Sequence, residues 1–280
     1  MRLNANPKTQ RFIPALSFLL VSLLIVPALQ AQNPDDLMPP ESAAKAKAIL
    51  KQAIEALGGE AFLNVRNTDC SGRYAQFEHS GAVSGYIEIR EIREAPAKSR
   101  VEYDPKATIV DLYVGNQGWT MDRGGVTEEP AEVVADYQDS LQTDINNILR
   151  RRMDDPDLVF RYGGADVVNL MQADWVEIGD HQGHTIRVAI NKSTHLPIQV
   201  VITKRDPKTG ERTERMTQFT TYHAIDGVQI PFRTSRFLNG RQTYQVFLEG
   251  CSINATLPPD FFTRASLDQH FAQLNKRKKK

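Results

Sequence analysis

Beyond Asp69, apolar residues recur at every second position in short runs separated by turn residues, the period of a β-strand with one buried and one solvated face. Across residues 86–90, Ile87 and Ile89 share one face while Tyr86, Glu88 and Arg90 take the other; the alternation continues through Val101/Tyr103 and Val110/Leu112/Val114. It resumes at Ile186/Val188/Ile190 and Ile198/Val200/Ile202. Two hairpins are explicit. Arg205-Asp206-Pro207-Lys208-Thr209-Gly210 leads into a strand over 213–222, and Asn239-Gly240 joins Val228/Ile230/Phe232 to Tyr244/Val246/Leu248.

Two stretches keep a helical period instead. Over 41–57, Ala46, Ile49, Leu50, Ala53, Ile54 and Leu57 form one stripe, which Gly58-Gly59 ends. Over 131–153, Val134, Tyr137, Leu141, Ile145, Ile148 and Leu149 form another, with Pro130 suited to the first turn and Arg150-Arg151-Arg152 to the negative end of the helix dipole. About ten strands must each bury an apolar face, yet only two or three helices are at hand to cover them. The count predicts an α+β fold: a large curved antiparallel β-sheet, a half-barrel wrapped around the helices. An open cavity and a fully packed core give the same alternation, so periodicity leaves that choice open.

The first thirty-one residues stand apart. Arg2, Lys8 and Arg11 precede an apolar run over 12–29 that ends in Gln30-Ala31-Gln32, and the acidic Asn33-Pro34-Asp35-Asp36 follows in place of a basic stop-transfer flank. Residues 1–31 read as a signal peptide cleaved after Ala31, the alternative being an uncleaved anchor; no cysteine lies near the junction to be acylated. A flexible segment over 32–40, a folded domain over 41–264 and a helical or disordered basic tail over 265–280 are expected to follow. The expected compartment is the periplasm, with the protein soluble and not itself lipidated.

Three of the 34 basic residues and none of the 34 acidic ones lie in the signal, so the remainder carries −3; the tail Lys276-Arg277-Lys278-Lys279-Lys280 holds +5 of that, leaving the body near −8. A body of that sign argues against a nucleic-acid surface, while the tail offers transient contact with anionic head groups. Cys70 and Cys251 fall in predicted strands, one near each end of the domain. They are a disulfide candidate in an oxidising compartment, the alternative being two buried thiols.

No Gly-x-Ser-x-Gly elbow, phosphate-cradling glycine loop or His-Glu-x-x-His helix is present, and no pair of carboxylates is spaced as acid and base. No catalytic residue, metal or cofactor is therefore assigned, and the chain is read as a non-enzyme. Asp180-His181-Gln182-Gly183-His184 offers possible ligands but reads as a polar hairpin turn. An exported hydrolase assembled from distant residues, with His181 or His184 essential, is the weaker alternative.

Several local strings together resemble a known family. Ala56-Leu57-Gly58-Gly59, Gly115-Asn116-Gln117-Gly118-Trp119, Lys192-Ser193-Thr194-His195-Leu196-Pro197, Tyr222-His223-Ala224-Ile225-Asp226-Gly227-Val228-Gln229-Ile230-Pro231-Phe232 and the closing Leu257-Pro258-Pro259-Asp260-Phe261-Phe262 are similar to the bacterial outer-membrane lipoprotein-sorting, LolA/LolB-like carriers, over about 44–262. The resemblance implies a half-barrel with helices as a lid. Its apolar interior would shelter lipoprotein acyl chains or lipid on the way to the outer membrane, exchanged with membrane-associated donor and acceptor proteins. The chain departs from the family in its greater length and its basic tail, and no arginine matches the family's ligand-release residue. Candidate cavity residues are Ile87, Ile89, Val101, Tyr103, Val110, Leu112 and Trp119 on the sheet, with Val134, Tyr137 and Leu141 above them. A sensing or scaffold module on the same fold, binding a partner protein, is the alternative.

Overall fold

The computed structural model describes residues 37–206 and 209–278, so the expected signal peptide, residues 1–31, lies outside the described residues. Thirteen strands form one antiparallel sheet in the order β6-β5-β4-β3-β2-β1-β13-β12-β11-β10-β9-β8-β7. One wing is the meander β1 (Asn67–Phe77), β2 (Val83–Glu94), β3 (Lys98–Tyr103), β4 (Ile109–Val114), β5 (Gln117–Asp122) and β6 (Gly125–Glu128). The other is β7 (Val159–Val168), β8 (Met171–Gly179), β9 (His184–Asn191), β10 (Pro197–Arg205), β11 (Arg212–Ile225), β12 (Val228–Leu238) and β13 (Arg241–Ile253). They meet where β1 pairs with β13, and there Cys70 lies opposite Cys251 in a disulfide, S–S 2.08 Å.

The sheet is open and wrapped around helices, as the element count predicts, with three strands more than the alternation reveals. Gly115-Asn116 makes the β4–β5 turn alone, which leaves Gln117-Gly118 inside β5 opposite Val114 and Tyr113. β6 has four residues, and a bulge between Tyr162 and Gly164 interrupts the phase of β7.

Helix α1 (Pro39–Leu57) starts two residues before the helix expected over 41–57 because Pro39 and Pro40 suit positions whose N–H groups have no partner inside the helix. Gly58 closes it at φ 128°, packed so tightly on the β11–β12 turn that a Cβ there would run into the Gly227 carbonyl oxygen. A short turn, α2 (Glu60–Leu63), follows. The helix expected over 131–153 is broken: α3 (Ala131–Thr143) stops at Asp144, whose extended backbone (φ −68°, ψ 120°) lets its carboxylate accept the Asn147 N–H at 2.9 Å and cap α4 (Ile145–Asn147). One π turn, Ile148–Arg152, continues it. The C-terminal α5 spans Arg264–Lys278.

Three apolar clusters hold the fold. On the inner face, α1 and the π turn after α4 bury Leu50, Leu57, Ile148 and Leu149 against Phe160, Val176, Ile178, Ile186, Val188 and Val200; each such side chain contributes about 1.5–3 kcal/mol. The outer face of the first wing is sealed by Phe262 and Leu267, with Phe271 and Leu274, over Ile92, Val110, Leu112, Trp119 and Met121. Trp175, Ala189, Ile198 and Val201 cover the outer face of the second.

Helix α3 measures the curvature. Tyr137 stacks on Tyr113 of β4 with ring centroids 4.5 Å apart, while Asp139, two residues on, contacts His184, Lys204 and Arg215 of β9, β10 and β11. Strands β4 and β11 are six places apart in the sheet, about 29 Å if it were flat, and β9 is farther still. One helix turn reaches both wings only because the sheet curls round it into a half-barrel.

Candidate functional site

Register defines a continuous inner face. One rung runs Tyr162–Val176–Val188–Val200–Thr217–Arg236–Tyr244–Gln76, beginning under α1 and ending at the β1–β2 hairpin. A second runs Phe219–Thr234–Val246–Tyr74–Ile87, and a third Leu248–Gly72–Ile89–Tyr103. Helices α1 and α4 fill this face over β7–β10, but across β11, β12 and β13 only Val228 is buried; their other side chains are half-buried or exposed. The middle of the sheet is therefore a groove that runs from this packed end toward the first wing, with α3 crossing above it. At its rim a pocket of about 540 Å³ is lined by Tyr74, Gln76, Glu78, His79, Arg241 and Tyr244.

The groove is not uniformly apolar. Arg93 donates to Glu91 at 2.6 Å and lies 3.8 Å from Asp144. Burial pushes the Glu91 carboxyl up, but the charge and hydrogen bonds of Arg93 outweigh it and hold the group below the usual carboxylate range. Burial pushes the Tyr137 hydroxyl up to about 12, and that buried oxygen has no hydrogen-bond partner among the described residues. Tyr113, beneath it, crosses Gly118 so closely that a Cβ there would sit 2.9 Å from its ring.

Asp139 fastens α3 over the groove. The His184 ring is 1% exposed, with Nδ1 2.6 Å from Asp180 Oδ2 and Nε2 2.8 Å from Asp139 Oδ1; a ring carrying a proton on each nitrogen donates to both. Lys204 Nζ donates to the same Asp139 oxygen at 2.7 Å and Arg215 to the other at 3.1 Å. Burial alone raises the Asp139 carboxyl, but the Lys204 hydrogen bond and the His184 charge and hydrogen bond together bring it below its ordinary value.

The pleat separates the candidate cavity residues. Ile87, Ile89, Val101 and Tyr103 lie on the inner face, whereas Val110, Leu112 and Trp119 point outward beneath α5, since Val101 pairs with Asp111 and Leu112 with Trp119. Val134, Tyr137 and Leu141 are half-buried on α3. His181 is exposed in the β8–β9 turn, 3.8 Å from Asp157, and no group of three or more His, Cys, Asp or Glu able to hold a metal is found among the described residues. The role of His184 was the signal missed: it shares the phase of Ile186, Val188 and Ile190, so a polar ring was pointing inward. Its partner Asp139 is 45 residues away and carries no local mark.

No family model matches the chain, and no curated protein does. Solved structures do match. An outer membrane lipoprotein-sorting protein domain from Vibrio parahaemolyticus aligns at TM-score 0.55 and 11% identity, over 81% of this chain and 99% of that one. A DUF1329 family protein from Desulfovibrio piger aligns at 0.58 and 11% identity, over 79% and 98%; a LolA superfamily protein from Nitrosomonas europaea aligns at 0.53 and 13%, over 79% and 99%. The fold shared with these structures is the open half-barrel. At these identities the likeness is one of fold.

Proposed function

We propose that the protein is a non-enzymatic periplasmic carrier that shelters acyl chains of lipoproteins or lipids on the inner face of its sheet, for transfer to the outer membrane. The observation that carries this reading is the apolar floor of the groove, where Ile87, Val101, Tyr103, Val246 and Leu248 stay partly exposed around the buried Ile89, beside the closed core under α1 and spanned by α3. An acyl chain laid there removes apolar surface from water at about 0.8 kcal/mol per methylene, enough to hold it against solvent yet release it to a comparable apolar site. The fold shared with lipoprotein-sorting proteins supports the reading, and among the described residues no helix is long and apolar enough to cross a membrane. Export rests on the signal-like residues 1–31.

Uptake of a fluorescent fatty acid tests it. The protein should bind the probe in the micromolar range, and Leu248→Glu, which places a charge on the groove floor, should weaken binding at least about tenfold. Absence of uptake, together with ligand-free protein in native mass spectra of material taken from its own envelope, would overturn the proposal.

A further inference from the structure

We infer that the groove's ligand carries an anionic head group, a phosphate or carboxylate on an acyl chain, and that Arg236 receives it. The inference rests on the carrier reading and adds the chemistry of the ligand's polar end.

Among the described residues Arg93, Arg215 and Arg236 face the inner side of the central sheet, and Arg241, on the rung of Arg215 and Leu238, stands at the rim near Glu78. Arg93 is held by Glu91 and Asp144, and Arg215 by Asp139. Arg236 is exposed, and among the described residues no carboxylate stands within 4.0 Å of its nitrogens. Its guanidinium lies 5.2 Å from the Tyr244 ring centroid, and Tyr244 packs against Tyr74 at 5.0 Å. Both tyrosines line the rim pocket together with Arg241, His79 and Glu78. Register puts Arg236 opposite Tyr244 and Thr217, next to the apolar rung of Val246, Tyr74 and Ile87. A chain lying on Leu248, Ile89, Val246 and Ile87 therefore brings its polar end to this arginine.

Electrostatics sets the sign. A ligand covering Arg236 with neutral atoms strips water from a cation that has no carboxylate within 4.0 Å among the described residues and feels Glu91 only at longer range, which is costly; an anion replaces that water with charge-assisted hydrogen bonds from a planar fork. The ring beneath leaves the guanidinium edges free to donate while holding its plane.

Arg233 provides an internal control. Three residues earlier on β12 it lies over Phe247, centroid distance 4.8 Å, and an odd spacing in a strand puts it on the outer face. Binding of lysophosphatidylglycerol and of lysophosphatidylcholine with the same acyl chain, both as monomers, is measured by calorimetry on the protein and on the exposed-site variants Arg236→Gln and Arg233→Gln. The expected result is a preference for the anionic lipid of about tenfold, abolished in Arg236→Gln through weaker binding of that lipid alone and retained in Arg233→Gln. Equal binding of the two lipids, or a loss in Arg236→Gln shared by both, overturns the head-group assignment and leaves the carrier reading standing. If neither lipid binds, the carrier reading falls, and this one with it. Inorganic phosphate binding as tightly as the anionic lipid would make Arg236 a free-anion site and overturn the assignment to a lipid.

Discussion

Replacing Asp139 with alanine should release α3 from the second wing. The carboxylate accepts from His184, whose ring is 1% exposed, and from Lys204 and Arg215, whose side chains are 45% and 39% exposed. A charge-assisted hydrogen bond to the buried ring is worth about 1.5–3 kcal/mol, and each solvent-screened pair about 0–1 kcal/mol. The loss should therefore be about 2–4 kcal/mol in urea unfolding at neutral pH, accompanied by faster amide exchange in α3 than in α1. The doubly substituted Asp139→Ala/His184→Ala should lose less than the sum of the single changes, with a coupling of at least about 1 kcal/mol. A loss under about 0.5 kcal/mol with unchanged exchange in α3 would show that α3 is held by its apolar contacts alone, and the fastening role of Asp139 would be refuted.

The same group gives a pH dependence. The folded-state value of Asp139 is depressed, so its contribution is complete above its unfolded value, near pH 4, and is lost as pH falls through the folded one; the stability gap between the native chain and Asp139→Asn should be constant from pH 7 to about pH 5 and narrow below pH 4. Removing the disulfide by Cys70→Ser/Cys251→Ser opens a loop with a sequence separation of 181 and should cost about 5 kcal/mol by chain entropy, read as a fall in thermal midpoint. Gly58→Ala should lower stability by about 1–3 kcal/mol or more, because the new Cβ meets both a φ of 128° and the Gly227 carbonyl; an unchanged midpoint would mean that the β11–β12 turn moves aside freely.

Where hydrophobic period alone decides structure, the fold was legible. Ile186/Val188/Ile190 and Ile198/Val200/Ile202 announce strands, and residues 46–57 a helix, because a single buried face imposes its spacing on the chain. What depends on non-local pairing was not. Nothing local to Val110 and Leu112 says that the five-residue connection after Tyr103 turns them away from the face of Val101. Asp144 resembles any polar residue of a helical stripe until its carboxylate is seen to cap a new helix. The groove itself depends on the curl of the sheet, which emerges from contacts between α3 and strands distant in sequence.

The strand order also divides mechanical labour. The two strands that lie together at the middle of the sheet, β1 and β13, are the first and last of the chain's strands, whereas the two at its margins, β6 and β7, are consecutive and joined by the segment carrying α3 and α4. Chain continuity is thus spent on a strap across the mouth, and integrity of the floor is left to the β1–β13 ladder and one covalent staple. A protease cut in the strap would unfasten the mouth without parting the halves. The nicked molecule would migrate as one species until a reductant and a denaturant act together, and this offers a route to a permanently open form in which loading can be studied apart from closure.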